Sequence, residues 1–372
     1  MKFVNASYEE FLKNRKHRKI IHFGASSAWK HHLRMFPDIS SEVLDNTLFA
    51  VDNDEKKQGT WMEVDSRCIR IENAGKVKEM SDYVILITVA LAYQKDICRQ
   101  LSDMGLPEDV ECYSLPLMSY NFRDTDNTCV EAYFNEHTTT VNDPRIHSFW
   151  FSGEKKPELY KRCIDSWHKY CPNFEIFEWN AENYDVTKNQ YMFEAFQHGK
   201  WAFVSDYARL DVVYHYGGIY MDMDVELLAP ITQLLNADSF FCRQDDGYLE
   251  LGSGFGAKAG NSLIGEMLQT YQSRKYILEN GETDMTSQPI WLSGVLKKYG
   301  IHRSHDSQRI GNGLILSNDY ISCNAGRNSM KHPKIGVHWH NGGWLSEKER
   351  SLLKASESAK DELVEKYFTG RL

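Results

Sequence analysis

Long apolar runs are missing from this chain of 372 residues. No stretch approaches the roughly 20 consecutive apolar residues of a membrane-spanning helix. Met1 to Ser7 lacks the basic start, apolar middle and small-residue cleavage site of a secretion signal. A cytoplasmic placement is therefore expected, compatible with peripheral attachment at the inner face of a membrane. Paired cysteines are missing as well. The eight cysteines, at 68, 98, 112, 129, 163, 171, 242 and 323, form no C-x-x-C pair and no cluster, which argues for reduced core residues and against a zinc site or a disulfide framework. Nor is there an excess of positive charge. With 43 Lys and Arg against 52 Asp and Glu, the formal net charge is −9, so no nucleic-acid partner is expected. The one basic cluster, Lys13 to Lys19, reads as a solvated helix end.

What is present is enough apolar residue, 42% of the chain with 13% aromatic, to bury a large core, and the length suits two domains. The first half alternates short apolar runs ("KIIHFGA", "TLFAVDND", "DYVILIT", "VECYSL") with helix-like stretches, the pattern of parallel strands with crossover helices. After Gly24 the turn reads "ASSAWKHHL", without the second and third glycines of a dinucleotide fingerprint. Asp52 ends the second of these strands as a ribose-binding acid would, but a polar strand end is the commoner explanation. Between about 116 and 142 the chain turns polar and irregular. The expected division is a Rossmann-like domain over 1–140, ending in this linker, and a second α/β domain over 141–372.

Three Asp-x-Asp triplets occur: Asp52 with Asp54, Asp124 with Asp126, and Asp222 with Asp224. The first lies at a strand end and the second in the linker. Only the third follows a helix, a Gly217-Gly218 turn and an apolar strand. If that strand runs through 224, Tyr220, Asp222 and Asp224 share one face and Met221 and Met223 the other. The preceding helix, roughly Ala202 to Tyr216, is apolar on most sides yet carries Asp206, Arg209 and Asp211. At about 100° per residue, Asp206 and Arg209 fall within one narrow arc and Asp211 well away. Charges on a buried helix need partners or ligands.

The run "FVSDYARLDVVYHYGGIYMDMDVELLAP", with "RIHSFWFSGEKKP", "CIDSWHKYCPNFEIFEWNAENYDV" and "GVHWHNGGW" in the same order, resembles glycosyltransferase family 32 and the related capsular-polysaccharide transferases of GT-A fold, over about residues 144 to 345. "IIHFGAS", "FAVDNDEKKQGT" and "DYVILIT" resemble the small Rossmann-like domains of bacterial polysaccharide-biosynthesis proteins. The first resemblance implies a metal-dependent, retaining hexosyltransferase. Its donor is a nucleotide sugar, with UDP-hexose favoured over GDP-hexose, and its acceptor a bacterial surface glycan or lipid-linked glycan. It implies further that Asp224 binds Mn2+ or Mg2+ directly, that Asp222 contacts the ribose and metal-bound water, that Arg209 approaches the donor phosphate and sugar, and that Asp206 holds sugar hydroxyls. Trp150 is expected at the nucleotide base and Asn183 at the nucleotide, with Asn180 next in line and a turn-forming asparagine as the alternative.

His338 stands six residues before Trp344, the interval at which relatives end this domain with a histidine and a tryptophan; His340 matches no family histidine, and Gly343 replaces a common serine. Neutral imidazole suits manganese beside carboxylates, so a late strand bringing His338 to Asp224 would complete a metal shell, with Trp344 closing over the diphosphate. In "TSQPIWL" Gln288 replaces the glycine of a T-G-P turn. Two other classes compete: a metal-dependent phosphohydrolase, for which further clustered carboxylates are missing, and a non-catalytic glycan-binding scaffold, against which the joint presence of Asp206, Arg209, Asp222 and Asp224 argues. Nothing in the sequence sets a subunit number.

Overall fold

The structure is a computed structural model describing residues 1–26, 29, 37–64, 67–120, 125–323, 334–340 and 347–371. It has the mixed α/β architecture expected and divides into two compact units, Met1–Phe122 with Ser346–Leu372, and Arg123–Leu345.

The first unit is built on an eight-stranded sheet. Its strands are β1 (Lys2–Asn5), β2 (Lys19–Phe23), β3 (Thr47–Val51), β4 (Trp61–Val64), β5 (Arg67–Glu72), β6 (Tyr83–Ile87) and β7 (Glu111–Ser114), closed by β18 (Gly370–Arg371). The order is β18-β1-β7-β6-β2-β3-β5-β4, and every pairing except β4 with β5 is parallel. The central strands read as unbroken apolar runs because both faces are covered: all five residues of β6 and four of five in β2 are buried. Asp52, just past β3, accepts the Ala25 N–H (2.9 Å) and pairs with Lys57 (3.0 Å). Its carboxylate thus fastens the turn after Gly24. The basic cluster is also engaged locally, Arg15 with Glu42 and Arg18 with Glu111.

The second unit holds a seven-stranded sheet of β8 (Arg145–Phe149), β9 (Glu175–Trp179), β10 (Gly218–Tyr220), β12 (Ser239–Cys242), β13 (Phe255–Ala257), β14 (Gln308–Ile310) and β15 (Gly313–Leu316). Their order is β14-β15-β12-β13-β10-β8-β9. A three-stranded sheet, β11-β17-β16, is formed by β11 (Val225–Leu227), β16 (Ile321–Cys323) and β17 (Gly336–His338).

These boundaries differ from a cut at 140. The polar stretch carries a helix, Thr128–Glu136, whose Val130 and Tyr133 pack in the second unit's core. The last helix, Glu347–Lys366, belongs to the first unit, with its Leu363, and Phe368 just beyond its end, in that unit's core. An amphipathic helix announces that it needs a partner without naming which sheet supplies it. Of the described cysteines, Cys98, Cys112, Cys163, Cys171 and Cys242 are buried as expected, while Cys68 lies exposed on β5. No helix among the described residues is long and apolar enough to cross a membrane.

Candidate active site

The helix Trp201–Tyr216 buries ten of its residues, Asp206, Arg209 and Asp211 among them. It ends at Gly217 (φ 65°), and Gly218 (φ 90°) turns the chain into β10. A side chain at 218 would meet Arg145 Cβ and O at 2.9 Å, so the close approach of β10 to β8 needs glycine there.

The acidic triplet does not sit in a strand. β10 stops at Tyr220 and β11 starts at Val225 in the other sheet. Between them Met221–Asp224 forms a turn, closed by Val225 N–H donating to Asp222 O (3.0 Å). The extended alternation expected through 224 therefore fails, because the chain is passing from one sheet to the other. Met221 and Met223 still anchor the turn, at 1% and 4% exposure, and Asp222 N–H is held by Gly252 O (2.9 Å).

The second sheet delivers the histidine. β17 runs antiparallel to β11 with His338 opposite Val225, and Trp339 N–H donates to Asp224 O (3.0 Å). His338 Nε2 then lies 3.2 Å from Asp224 Oδ1 and 3.8 Å from Asp222 Oδ2. One ligand atom from each of the three residues falls within 4.8 Å of the others. His338 Nδ1 is bonded to Ser253 Oγ (3.0 Å) in a buried contact, which turns Nε2 toward the carboxylates. Burial alone would push the imidazole down, but Asp224 above all, with Asp222 and Glu250, raises it to about 9. His340 stacks on this ring at 3.8 Å.

On the other side of Asp222, Arg209 Nη2 lies 3.2 Å from Asp206 Oδ1 and 3.7 Å from Asp222 Oδ1. Its Nε and Nη2 donate to Ser205 O and Oγ. Desolvation works against the Arg209 charge, yet Tyr220, Asp222, Asp206 and Glu250 hold the guanidinium above its usual range. Tyr220 O–H donates to Asp222 Oδ1 (2.6 Å), fixing that carboxylate. Burial pushes Asp206 up to about 6 against the pull of Arg209 and Arg274. Asp211 does lie elsewhere on the helix, bonded to Tyr184 O–H and Lys188. Gln288, where a glycine was expected, donates Nε2–H to Asp206 O (2.6 Å) and Tyr271 Oη (2.9 Å). It props the backbone beneath Asp206.

Trp150 follows β8, with its indole N–H donating to Glu154 O (2.7 Å) and its ring edge-on to Tyr160. Asn183 is committed to its own turn: Oδ1 accepts Asn180 N–H (2.7 Å) and Nδ2 donates to Glu178 O (3.1 Å). Asn180 likewise accepts backbone N–H groups, from Glu182 and Asn183. Trp344 and Gly343 lie outside the described residues.

Sequence reasoning missed two residues of "LELGSG". Leu249 and Leu251 are buried in the core, which turns Glu250 and Gly252 toward Asp222. A Cβ at Gly252 would stand 2.5 Å from Asp222 Oδ2 and 2.9 Å from Glu250 Oε1. Burial, with Asp222 adding to it, pushes Glu250 up to about 7. Ser253 is the second missed residue. The signal for both is the alternation of leucines with glutamate and glycine in this stretch.

Four carboxyl groups (Asp206, Asp222, Asp224 and Glu250) thus gather beside Arg209 and His338, and the carboxylate oxygens of Asp222 and Asp224 with His338 Nε2 are a donor set suited to a divalent cation. Residues 157–241 match the family model for the glycosyltransferase sugar-binding region containing the DXD motif. Over 224 residues the chain is 22% identical to inositol phosphoceramide mannosyltransferase 1 of Schizosaccharomyces pombe, an alignment spanning 56% of this chain and 67% of that protein. Residues 157–241 thus carry the DXD sugar-binding region of a glycosyltransferase. Among solved structures the transferase is similar to PaToxG glycosyltransferase at 14% identity and a TM-score of 0.33, covering 47% of this chain and 75% of that one.

Proposed function

We propose that this transferase moves a hexose from a nucleotide-sugar donor, UDP-hexose ahead of GDP-hexose, to a hydroxyl of a bacterial surface glycan or its lipid-linked precursor, with retention and at the cytoplasmic face of the membrane. The observation that supports it best is the meeting of Asp222 and Asp224 with His338 beside the Arg209–Asp206 pair. Asp222, Asp224 and His338 would hold a divalent cation, manganese rather than magnesium because an imidazole joins the carboxylates, and it would supply charge neutralisation for the leaving diphosphate.

The chain's own residues do the rest. Arg209, permanently charged and nearly water-free, faces the donor phosphate, where a preorganised cation is worth most. Asp206 accepts sugar hydroxyls, and Trp150 offers its ring to the base. Retention requires the acceptor oxygen to bond C1 on the face from which the phosphate oxygen departs, its proton passing to that departing oxygen. The Schizosaccharomyces pombe relative is an inositol phosphoceramide mannosyltransferase, so a mannosyl donor and lipid-linked acceptors belong among the candidates.

The test is release of nucleotide from a panel of UDP- and GDP-hexoses with manganese and no acceptor, for the wild type and Asp224→Asn. Turnover by the wild type with loss in a variant of unchanged melting temperature is expected. Near-normal hydrolysis by Asp224→Asn would refute the metal role; no hydrolysis of any donor would refute the donor class.

A further inference from the structure

Glu250 is unexplained by the reaction as drawn. It sits on the segment between β12 and β13, outside the Asp222–Asp224–His338 group. Its carboxylate borders the same small space as Asp222 Oδ2, the space kept open by the missing side chain of Gly252. Among the described residues Glu250 accepts one hydrogen bond, from Gly252 N–H (3.1 Å). The position is held from both sides: Glu250 N–H donates to Cys242 O (2.8 Å), and Gly252 O accepts Asp222 N–H (2.9 Å). Leu249 and Leu251, buried at 5% and 1% exposure, prevent the segment from turning over.

A carboxylate here needs hydrogen-bond donors once substrate shuts out water, because an unpaired buried charge is costly. The donor's diphosphate cannot supply them; it is anionic and carries no N–H or O–H at neutral pH. Arg209 is already divided among Asp206, Asp222 and Ser205, and His338 turns Nε2 to Asp224 and Asp222 and Nδ1 to Ser253. The neutral hydrogen-bond donors that a sugar nucleotide brings beside Asp222 are its sugar hydroxyls. We propose that Glu250 is a substrate-binding residue that accepts a hydrogen bond from a hydroxyl of the transferred hexose and so helps select the donor sugar. The assignment rests on the transferase reading above.

The experiment uses the full chain and the nucleotide sugar it hydrolyses fastest, together with the 2-, 3-, 4- and 6-deoxy forms of that sugar nucleotide. Wild-type hydrolysis, measured first, separates failure of the transferase reading from failure of this assignment. Removing a hydrogen bond to a charged group weakens transition-state binding by roughly 10- to 100-fold. Glu250→Ala should therefore lower kcat/KM for the parent donor by about that factor, with Glu250→Gln losing less. One deoxy donor should lose a similar factor with the wild type and almost nothing further with Glu250→Ala. The manganese concentration for half-maximal hydrolysis should stay within about twofold of wild type in both variants, a change below 0.5 kcal/mol. Full additivity of the side-chain and hydroxyl losses for every deoxy donor would overturn the proposal. So would unchanged hydrolysis in Glu250→Ala, or a manganese shift of tenfold or more, which would make Glu250 a metal ligand instead.

Discussion

Gly252→Ala isolates the geometry of the site from the stability of the fold. The new Cβ would stand 2.5 Å from Asp222 Oδ2, 2.9 Å from Glu250 Oε1 and 3.1 Å from Asp222 Cγ. All three atoms belong to carboxylate side chains that can rotate away; Gly252 is not among the positive-φ glycines. The fold should therefore absorb the methyl, with a change in melting temperature of no more than a few degrees. The site should not. Ordinary van der Waals contact begins at 3.4 Å, so Asp222 Oδ2 must retreat by about 0.9 Å. That motion pulls against Tyr220 O–H on Oδ1 (2.6 Å) and against the 3.8 Å approach to His338. Misplacing a reacting or ligating group by about 1 Å costs on the order of 100-fold in rate, equivalent to about 2.7 kcal/mol. The assay is manganese-dependent donor hydrolysis beside a thermal melt. Wild-type hydrolysis in a folded Gly252→Ala protein would refute the claim that Asp222 must stay where the structure puts it. A collapse of the melting temperature would refute the claim that only side chains are displaced.

His338→Ala should raise the manganese concentration for half-maximal hydrolysis by at least about tenfold, some 1.4 kcal/mol. Ser253→Ala, which frees His338 Nδ1, should shift it in the same direction by less, and His340→Ala least of all; equal titrations for wild type and His338→Ala would reject the histidine as a ligand. We also expect a fragment spanning residues 123–345, the second compact unit, to hydrolyse the donor without the first unit, whose role we propose lies in acceptor use, assembly or placement. A fragment spanning 141–372 should be less soluble, since it discards the helix Thr128–Glu136 and keeps the helix Glu347–Lys366 without the sheet that buries Leu363. A folded but inactive 123–345 fragment would show that the division of labour is wrong.

Local regularities carried far in this chain because they depend on neighbours a few residues away. Apolar runs with crossover spacing were enough for the parallel sheet of the first unit, since strands covered on both faces have no polar side to show. Helix periodicity alone put Asp206 and Arg209 on one arc and Asp211 on another, and the structure has them so. The context of helix, double glycine and strand sufficed to choose Asp222 and Asp224 from three triplets. Contacts between distant segments were another matter. Whether Met221–Asp224 continues β10 or turns out of it depends on which strand lies alongside, and that strand is β17, more than a hundred residues downstream by the numbering of His338. Glu250 and Ser253 look like ordinary loop residues until Gly252 is seen to open space beside Asp222 and His338 to present its Nδ1 to a hydroxyl. Gln288 reads as a departure from a turn motif, yet it becomes a support for Asp206 once its helix packs against Tyr271. Residue types, and the face that each helix or strand buries, follow from covalent spacing and can be read along the chain. Which carboxylates share one space depends on how two sheets exchange a single chain between them, and no local pattern encodes that.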